Sequence, residues 1–376
     1  MEESAETEIT IKELVILFAG IFIFFIVRGF FIGVPLNAVE ISFAENASAA
    51  AAGRMLYSHI PDTSGPFNIY IYKIIFEIIG KSTEAIRIFS VLYAAVSALL
   101  LYVFIRSFKS FGVSFAAFFM YLAMSFNYNF CGISAGPEIF VHIPLLLALI
   151  FLTDMEKGYE KAGYIIAGVF MGMAALTTHI VWPALAVPLI VIIAGKYEAR
   201  EKTLNIVWYL CGLIITGAAA AGWGVYNGNL EAFIRSYFLF NINEYITGAY
   251  AAGHAERIMK FAAVSVLFLP GFIVMARGIG KEDGQNRGFY LLFFGIFITA
   301  GILLAKNPRP DSFMAVSPLF ACSAAFFADE IIKFFGNKKI GILSAVIFIL
   351  AAAGMFFYGA ETAELFGVMR CAPPGI

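Results

Sequence analysis

Apolar runs of about twenty residues recur along almost the whole chain, separated by short polar segments. A helix needs roughly 20 mostly apolar residues to cross a bilayer, so each run predicts a transmembrane helix. Eleven spans are predicted, at about residues 13–31, 84–105, 112–129, 137–153, 162–178, 181–195, 204–225, 258–276, 288–305, 312–332 and 340–359. The predicted fold class is therefore all-α: a polytopic transmembrane helical bundle, with residues 1–376 forming a single transmembrane domain.

The composition supports this fold class. The 376 residues are 61% hydrophobic and 14% charged, whereas about a quarter of the residues of a soluble domain are charged. The net charge of −1 offers no basic surface for nucleic acid. Residues 1–12 lack the basic segment and cleavage site of a signal peptide, so the first span is expected to be retained. No C-terminal soluble domain is expected, because the tail after about residue 360 is short.

Basic residues predict the orientation of the bundle. With the N-terminus in the cytoplasm, five short alternate loops carry thirteen Lys and Arg residues, as the positive-inside rule requires. The first outer loop, residues 32–82, then faces outward together with the C-terminus. Within it, the segment 67–80 is apolar but short, with Lys73 and Glu77 at i, i+4, and predicts a juxtamembrane helix. The compact loops favour a prokaryotic plasma membrane as the location.

The four cysteines show no metal-ligand spacing. Cys211 and Cys322 lie inside apolar runs, where a free cysteine is usually a small buried hydrophobic side chain. Cys131 and Cys371 are predicted to lie on the same side of the membrane, and a disulfide between them is an open alternative.

Acidic and basic side chains gather on the predicted outer face. Residues 36–66 contain Glu40, Arg54 and Asp62, and Arg87 lies about one turn inside the next span. The sequence contains no phosphate-binding GxxxxGK[ST] loop and no HExxH metal motif. Arginine binds phosphate through charge-assisted hydrogen bonds, and a carboxylate can take a proton from an incoming hydroxyl. Together these side chains predict a reaction with an anionic lipid at the membrane surface.

Several segments of the chain occur in the order of a known family. They are Val39-Glu40 after the first span, Met55-Leu56-Tyr57, Asp62, Gly65-Pro66, Arg87, Pro137-Glu138-Ile139-Phe140, the segment 168–178 and the segment 309–318. This ordered set resembles the GT-C glycosyltransferases, and within them the group that contains the protein O-mannosyltransferases and the lipid A aminoarabinose transferase. Three positions depart from the family pattern: Val39 replaces an acid, His179 a frequent lysine and Ser312 a frequent aromatic residue. They leave the sugar and the acceptor open.

The resemblance implies a glycosyltransferase that moves a hexose or pentose from a polyprenyl-phosphate donor to an acceptor hydroxyl at the extracytoplasmic face, with inversion. The acceptor would be a lipid, a glycan or a protein. Glu40 is the expected general base, and Asp62 is the second catalytic candidate. The residues expected to bind the substrate or donor phosphate are Arg54, Arg87, Glu138, His142, His179, Arg235, Arg257 and Arg309. No specific cofactor is predicted, and a divalent metal (Mg²⁺ or Mn²⁺) held by Glu40 and Asp62 is an open alternative.

Each of these residues also has a purely structural interpretation. Glu40 could favour a helix N-terminus through the macrodipole, and Asp62 lies in a turn sequence where aspartate is common. Arg54 and Arg87 could extend toward lipid headgroups, and Glu138 could pair with His142 at i, i+4.

Two rival functions also stay open: a secondary transporter or lipid flippase, and a catalytically inactive GT-C-like subunit. A transporter would concentrate ionisable residues near the middle of the bilayer and show internal repeats. In this sequence the charges lie toward the ends of the spans, and no repeat is visible.

Overall fold

A computed structural model describes residues 10–126, 132–153, 160–195, 198–247, 254–266, 268–277, 287–305, 310–335, 339 and 341–350. Its α-helices are α1 Ile11–Gly29, α2 Ala38–Ala51, α3 Pro66–Ile78, α4 Thr83–Arg106, α5 Phe111–Met124, α6 Pro137–Phe140, α7 His142–Thr153, α8 Glu160–Ala175, α9 Val187–Ala194, α10 Ala199–Tyr226, α11 Leu230–Phe233, α12 Phe240–Thr247, α13 His254–Val266, α14 Leu269–Arg277, α15 Arg287–Leu304, α16 Ser317–Phe334 and α17 Gly341–Leu350. Segments of 3₁₀ helix span His179–Ala186 and Pro310–Val316, and a π-helix spans Ile234–Leu239. The predicted all-α fold class is confirmed.

Three of the described helices are both long and apolar enough to cross a membrane by themselves: Thr83–Arg106, Ala199–Tyr226 and the helical stretch Ser312–Phe334. Six further apolar helical stretches of 10–17 residues coincide with other predicted spans. The first span corresponds to α1, which carries Lys12, Glu13 and Arg28 at its two ends. The count of about eleven spans therefore stays a prediction.

Several predicted spans are broken into two helical pieces, and a proline explains each break. Proline lacks an N–H, and its ring collides with the carbonyl four residues earlier. Thus Pro144 stops a helix from running through Phe140, and α6 and α7 are separated at Val141. The same relation separates α13 from α14 at Pro270. Proline at the second helical position likewise marks the change from 3₁₀ to α-helix at the starts of α9 and α16.

The bundle core depends on close approach between helices. A β carbon added to Gly168 of α8 would lie 2.2 Å from the carbonyl oxygen of Tyr209, and one added to Gly212 of α10 would lie 2.1 Å from that of Ile165. The two helix backbones are therefore in direct contact, as small residues allow in membrane bundles. Cys322 is fully buried, as predicted, whereas Cys211 is half-buried, and both are free thiols. Cys131 and Cys371 lie outside the described residues.

The segment between α1 and α4 forms a second, smaller hydrophobic cluster on the end of the bundle where α1 finishes. We call this the loop end. The cluster contains Phe43 of α2, Tyr72 of α3 and Ile86 of α4. Helix α3 has 13 residues, and at ~1.5 Å per residue it is too short to cross a bilayer. Its predicted Lys73–Glu77 pair is present at 3.9 Å. Helix α3 thus covers the loop end.

Candidate active site at the loop end

The start of helix α2 places Glu40 at the centre of a buried ionic cluster. Asn37 caps the helix by accepting a hydrogen bond from the Glu40 amide at 2.9 Å, and the Glu40 side chain accepts one from the Asn37 amide at 2.8 Å. This reciprocal arrangement is a capping box, and it fixes the direction of the carboxylate. Glu40 is completely buried.

Arg87 of α4 forms a bidentate ion pair with Glu40. Its Nη2 donates to Oε2 at 2.9 Å, and its Nη1 contacts Oε1. The other Arg87 hydrogen bonds go to the carbonyl oxygens of Val34, Pro35 and Ile133. The guanidinium group therefore ties the first loop, α2 and the segment 132–136 to α4. Breaking such a buried pair on one side leaves an unpaired charge in a low-dielectric environment, which is costly.

The backbone of residues 132–136 closes this cluster from another side. The amide of Ala135 donates to Glu40 Oε1 at 2.7 Å. With the Asn37 amide and the two Arg87 nitrogens, Glu40 accepts hydrogen bonds from four donors. Four donors occupy about all the lone-pair positions that a carboxylate offers. The described donors therefore occupy both oxygens of the Glu40 carboxylate.

Arg28, at the end of α1, is a second buried guanidinium group that the sequence reasoning missed. It is 2% exposed and donates to the Ser125 carbonyl at 3.0 Å, to Ser90 Oγ at 3.1 Å and to the Ile133 carbonyl at 3.4 Å. Arg28 and Arg87 thus share the Ile133 carbonyl as an acceptor. The signal in the sequence was an arginine inside the last turn of an apolar span, because ionisable residues there are functional candidates by default.

Asp62 lies in a compact turn that we call the Asp62 turn, residues 56–64. Asp62 Oδ1 accepts from the amide and the hydroxyl of Ser64 at 2.7 and 2.5 Å, and Oδ2 accepts from Asn46 Nδ2 of α2 at 2.9 Å. The side chain is half-buried, and Oδ2 has one hydrogen bond among the described contacts. Asp62 is therefore more exposed than Glu40 and accepts fewer hydrogen bonds among the described contacts.

Tyr57 stabilises the Asp62 turn by a hydrogen bond across it. It has a φ of +68°, which is unusual for a residue other than glycine and indicates local strain. Its hydroxyl donates to the Ser64 carbonyl at 2.8 Å. Burial, and to a smaller extent the neighbouring Asp62, raise the pKa of Tyr57 well above its ordinary value, so the phenol remains a hydrogen-bond donor.

The Asp62 turn and α3 are docked closely on the end of α8. A β carbon added to Gly65 would lie 1.7 Å from the carbonyl oxygen of Leu176, so the two backbones touch. Asn68 Nδ2 donates to the Thr177 carbonyl at 2.8 Å and to the Gly65 carbonyl at 3.2 Å. Pro66 begins α3, a position where its missing N–H costs nothing.

The remaining predicted binding residues are dispersed. Arg54 is exposed, and its side chain does not join the ionic cluster. Arg235 is 75% exposed and pairs with Glu231 at 2.8 Å on its own helical segment. His179 is half-buried at the start of a 3₁₀ helix, with its ring edge-to-face on Trp182. Arg309 lies outside the described residues, as does the side chain of Arg257.

Glu138 and His142 are both buried, at 1% and 0% exposure, but they do not share one continuous helix. The break at Val141 separates them. The ring nitrogens of His142 contact the Tyr121 hydroxyl at 2.7 Å and the Met314 carbonyl at 2.9 Å. His142 therefore connects α5 and α7 to the segment before α16.

Known proteins are similar to this chain in sequence and in fold. The sequence profile described as dolichyl-phosphate-mannose-protein mannosyltransferase matches residues 63–223. The structure matches ArnT from Cupriavidus metallidurans bound to undecaprenyl phosphate with a TM-score of 0.63 and 14% identity, over 94% of this chain and 72% of that one. The chain has the GT-C glycosyltransferase fold. The predicted resemblance is thereby confirmed.

Two archaeal structures support the same fold. The oligosaccharyltransferase of Archaeoglobus fulgidus in the apo form matches with a TM-score of 0.60 and 14% identity over 96% of this chain. The oligosaccharyltransferase AglB of that organism, in complex with an inhibitory peptide and a dolichol-phosphate, matches with a TM-score of 0.58 and 13% identity over 94%. This chain spans only 56% of each of these two proteins. No curated protein sequence matches the chain significantly.

Proposed function

We propose that the chain is an integral-membrane glycosyltransferase. In this proposal a sugar passes from a polyprenyl-phosphate donor to an acceptor hydroxyl at the extracytoplasmic face, in the plasma membrane, with the N-terminus in the cytoplasm. The observation that carries it is the GT-C fold over 94% of the chain, shared with a protein whose structure holds undecaprenyl phosphate. Membrane lipids and the donor are the implied partners, and the acceptor is a lipid, a glycan or a protein.

The two candidate carboxylates are suited to different tasks. Glu40 is fully buried and accepts hydrogen bonds from four donors, two of them on Arg87. A general base must reach the proton that it takes, within about 2.6–3.2 Å. Asp62 is half-buried, and its Oδ2 accepts one hydrogen bond among the described contacts. We therefore assign the base role to Asp62 and a positioning role to Glu40.

The proposed reaction is a single displacement. Asp62 takes the proton of the acceptor hydroxyl while the hydroxyl oxygen forms a bond to the anomeric carbon of the donor. The bond from that carbon to the phosphate oxygen breaks, and the lipid phosphate leaves with the bonding electrons. Attack opposite to the leaving group inverts the anomeric configuration. Exposed arginines at this end, Arg54 and Arg235 among the described residues, are the candidates to meet the phosphate charge.

A divalent metal between Glu40 and Asp62 does not fit the geometry. The oxygens of Glu40 are already occupied by the guanidinium group of Arg87 and two backbone amides. Within the described ranges, no three His, Cys, Asp or Glu side chains come together as metal ligands. No step of the proposed reaction therefore depends on a metal.

The test compares wild type, Asp62→Asn and Glu40→Gln in lipid nanodiscs, with a panel of polyprenyl-phosphate sugars. We expect Asp62→Asn to lose about 10²–10⁴-fold in turnover while melting like wild type. Wild-type turnover by Asp62→Asn would remove Asp62 as the base. Turnover lost in a Glu40→Gln protein that melts like wild type, together with turnover kept in Asp62→Asn, would return that role to Glu40.

An inactive GT-C-like subunit is the second candidate, and the complete engagement of Glu40 favours it. If wild type turns over no donor in the panel, the transferase proposal fails. Uptake of substrate by vesicles that contain the protein would instead support the transporter alternative.

A further inference from the structure

Three asparagine side chains hold the Asp62 turn, and two of them come from one distant segment. Asn229 Nδ2 donates to the Leu56 carbonyl at 2.8 Å, and Asn241 Nδ2 donates to the Thr63 carbonyl at 2.9 Å. The third, Asn46, binds Asp62 itself. The segment 229–241 thus binds the backbone of the turn at its first residue, Leu56, and at Thr63, directly after Asp62.

The backbone of this segment has an unusual geometry that brings Asn241 into place. Residues Ile234–Leu239 form a π-helix, in which the amide of Phe240 donates to the carbonyl of Arg235, five residues earlier. Such wide turns are rare and occur frequently at functional sites. Asn241 Nδ2 also donates to the Tyr237 carbonyl at 2.6 Å. The same amide group therefore joins the π-helix to the Asp62 turn.

Buried aromatic packing makes the segment a rigid support. Tyr237 is fully buried, its ring stacks on Phe233 at 6.0 Å, and its hydroxyl donates to the carbonyl of Ala175 at the end of α8. Phe233 in turn packs on Tyr57, with ring centroids 5.3 Å apart. Tyr57 is the strained residue of the Asp62 turn, and strained backbone persists only where its surroundings hold it.

We propose that the segment 229–241 is a positioning element for Asp62, and that Asn241 is its main positioning residue. The inference rests on the proposed function, since it treats Asp62 as the group that activates the acceptor. Asn241 touches neither substrate nor the reacting atoms. It acts by holding the backbone next to Asp62, so that the carboxylate meets the acceptor hydroxyl in a reactive geometry.

The chain offers a matched control. Asn227 lies two residues before Asn229, and its Nδ2 donates only to the carbonyl of Trp223 on its own helix, among the described contacts. Asn227→Ala removes the same chemical group from the same region without releasing the Asp62 turn. Asn241→Asp keeps the side-chain shape but replaces the donor nitrogen by oxygen, so it tests the hydrogen bond separately from the volume.

The experiment measures turnover and local exchange on the full chain in nanodiscs. We expect Asn241→Ala and Asn241→Asp to lower kcat by about 10- to 100-fold, the cost of a small misplacement of a catalytic group, with the donor KM unchanged. Amide hydrogen exchange of the peptide 55–65 should accelerate in both variants. Asn227→Ala should match wild type in both measurements.

Two results would overturn the inference. Equal kcat for Asn241→Ala and Asn227→Ala, with an active wild type, would show that Asn241 does not position the base. Unchanged exchange in the peptide 55–65 would show that the segment does not hold the turn. The second measurement needs no donor, so it decides the positioning claim even where wild type fails to turn over the panel and the proposed function falls.

Discussion

The Glu40–Arg87 pair gives the sharpest stability prediction. Glu40→Gln keeps the shape of the side chain but removes its charge, which leaves Arg87 buried at 3% exposure without a carboxylate. Arg28, also buried, makes its described hydrogen bonds to uncharged groups and brings no negative charge that could replace Glu40. Removing one partner of a buried pair typically costs about 3–5 kcal/mol. We expect Glu40→Gln to lose stability in this range.

The matched control lies at the opposite end of α1. Glu13 accepts from Arg106 Nη2 at 3.1 Å and from the Tyr102 hydroxyl at 2.9 Å, but the two charged side chains are 10% and 13% exposed. This pair is less buried than Glu40–Arg87, so Glu13→Gln should lose less, about 1–3 kcal/mol, the usual worth of hydrogen bonds to a charged group. The two substitutions are chemically identical and differ in burial.

The assay is reversible unfolding in mixed detergent micelles, with a double-mutant cycle of Glu40→Gln and Arg87→Met. If the pair is buried as the structure has it, the double variant should be clearly more stable than the sum of the two single losses predicts. A loss below about 1 kcal/mol for Glu40→Gln, the value of a solvent-exposed pair, would refute the reasoning. So would equal losses for Glu40→Gln and Glu13→Gln.

Two glycine substitutions test the close backbone contacts. Gly65→Ala places a methyl group 1.7 Å from the Leu176 carbonyl oxygen and should lower the melting temperature and loosen α3, whereas Gly33→Ala, with nothing within 4 Å, should not. Gly212→Ala, whose β carbon would lie 2.1 Å from a carbonyl oxygen of α8, should lower the melting temperature, whereas Gly217→Ala has open space and should match wild type. Equal melting of either glycine pair would contradict the packing.

The fold was largely predictable because hydrophobic run length is a strong signal, and the predicted spans fall on described helices. The breaks inside those spans were not predicted, although each follows from a local rule. Pro144 and Pro270 interrupt runs that look continuous to a hydrophobicity count. Proline is apolar and so extends a hydrophobic run, but it also removes a helical hydrogen bond. A hydrophobicity count therefore predicts one continuous helix where the backbone has two.

The candidate site was predicted less well, because its chemistry depends on tertiary partners. The sequence drew attention to Glu40 and Arg87, and the structure does bring them together. The sequence could not show that the backbone amide of Ala135 would donate a hydrogen bond to Glu40. That amide is 95 residues away along the chain, and every residue except proline carries one. Distant backbone donors leave no signature in side-chain patterns.

The charge balance of the cluster links its stability to the proposed chemistry. The buried guanidinium groups of Arg28 and Arg87 share the Ile133 carbonyl, and Arg87 pairs with the buried carboxylate of Glu40, so these three side chains together carry a net positive charge. Glu40 and Asn46, the partner of Asp62, are six residues apart on α2, or ~9 Å along the helix. Buried charges are screened weakly, so the field of the cluster reaches that far. In the proposed reaction, a positive field there would attract a phosphate-linked donor and would stabilise the charge that develops on the leaving oxygen as its bond to the sugar breaks. In the proposed reaction, Glu40 contributes by fixing the cluster, and Asp62 contributes by taking the proton of the acceptor hydroxyl.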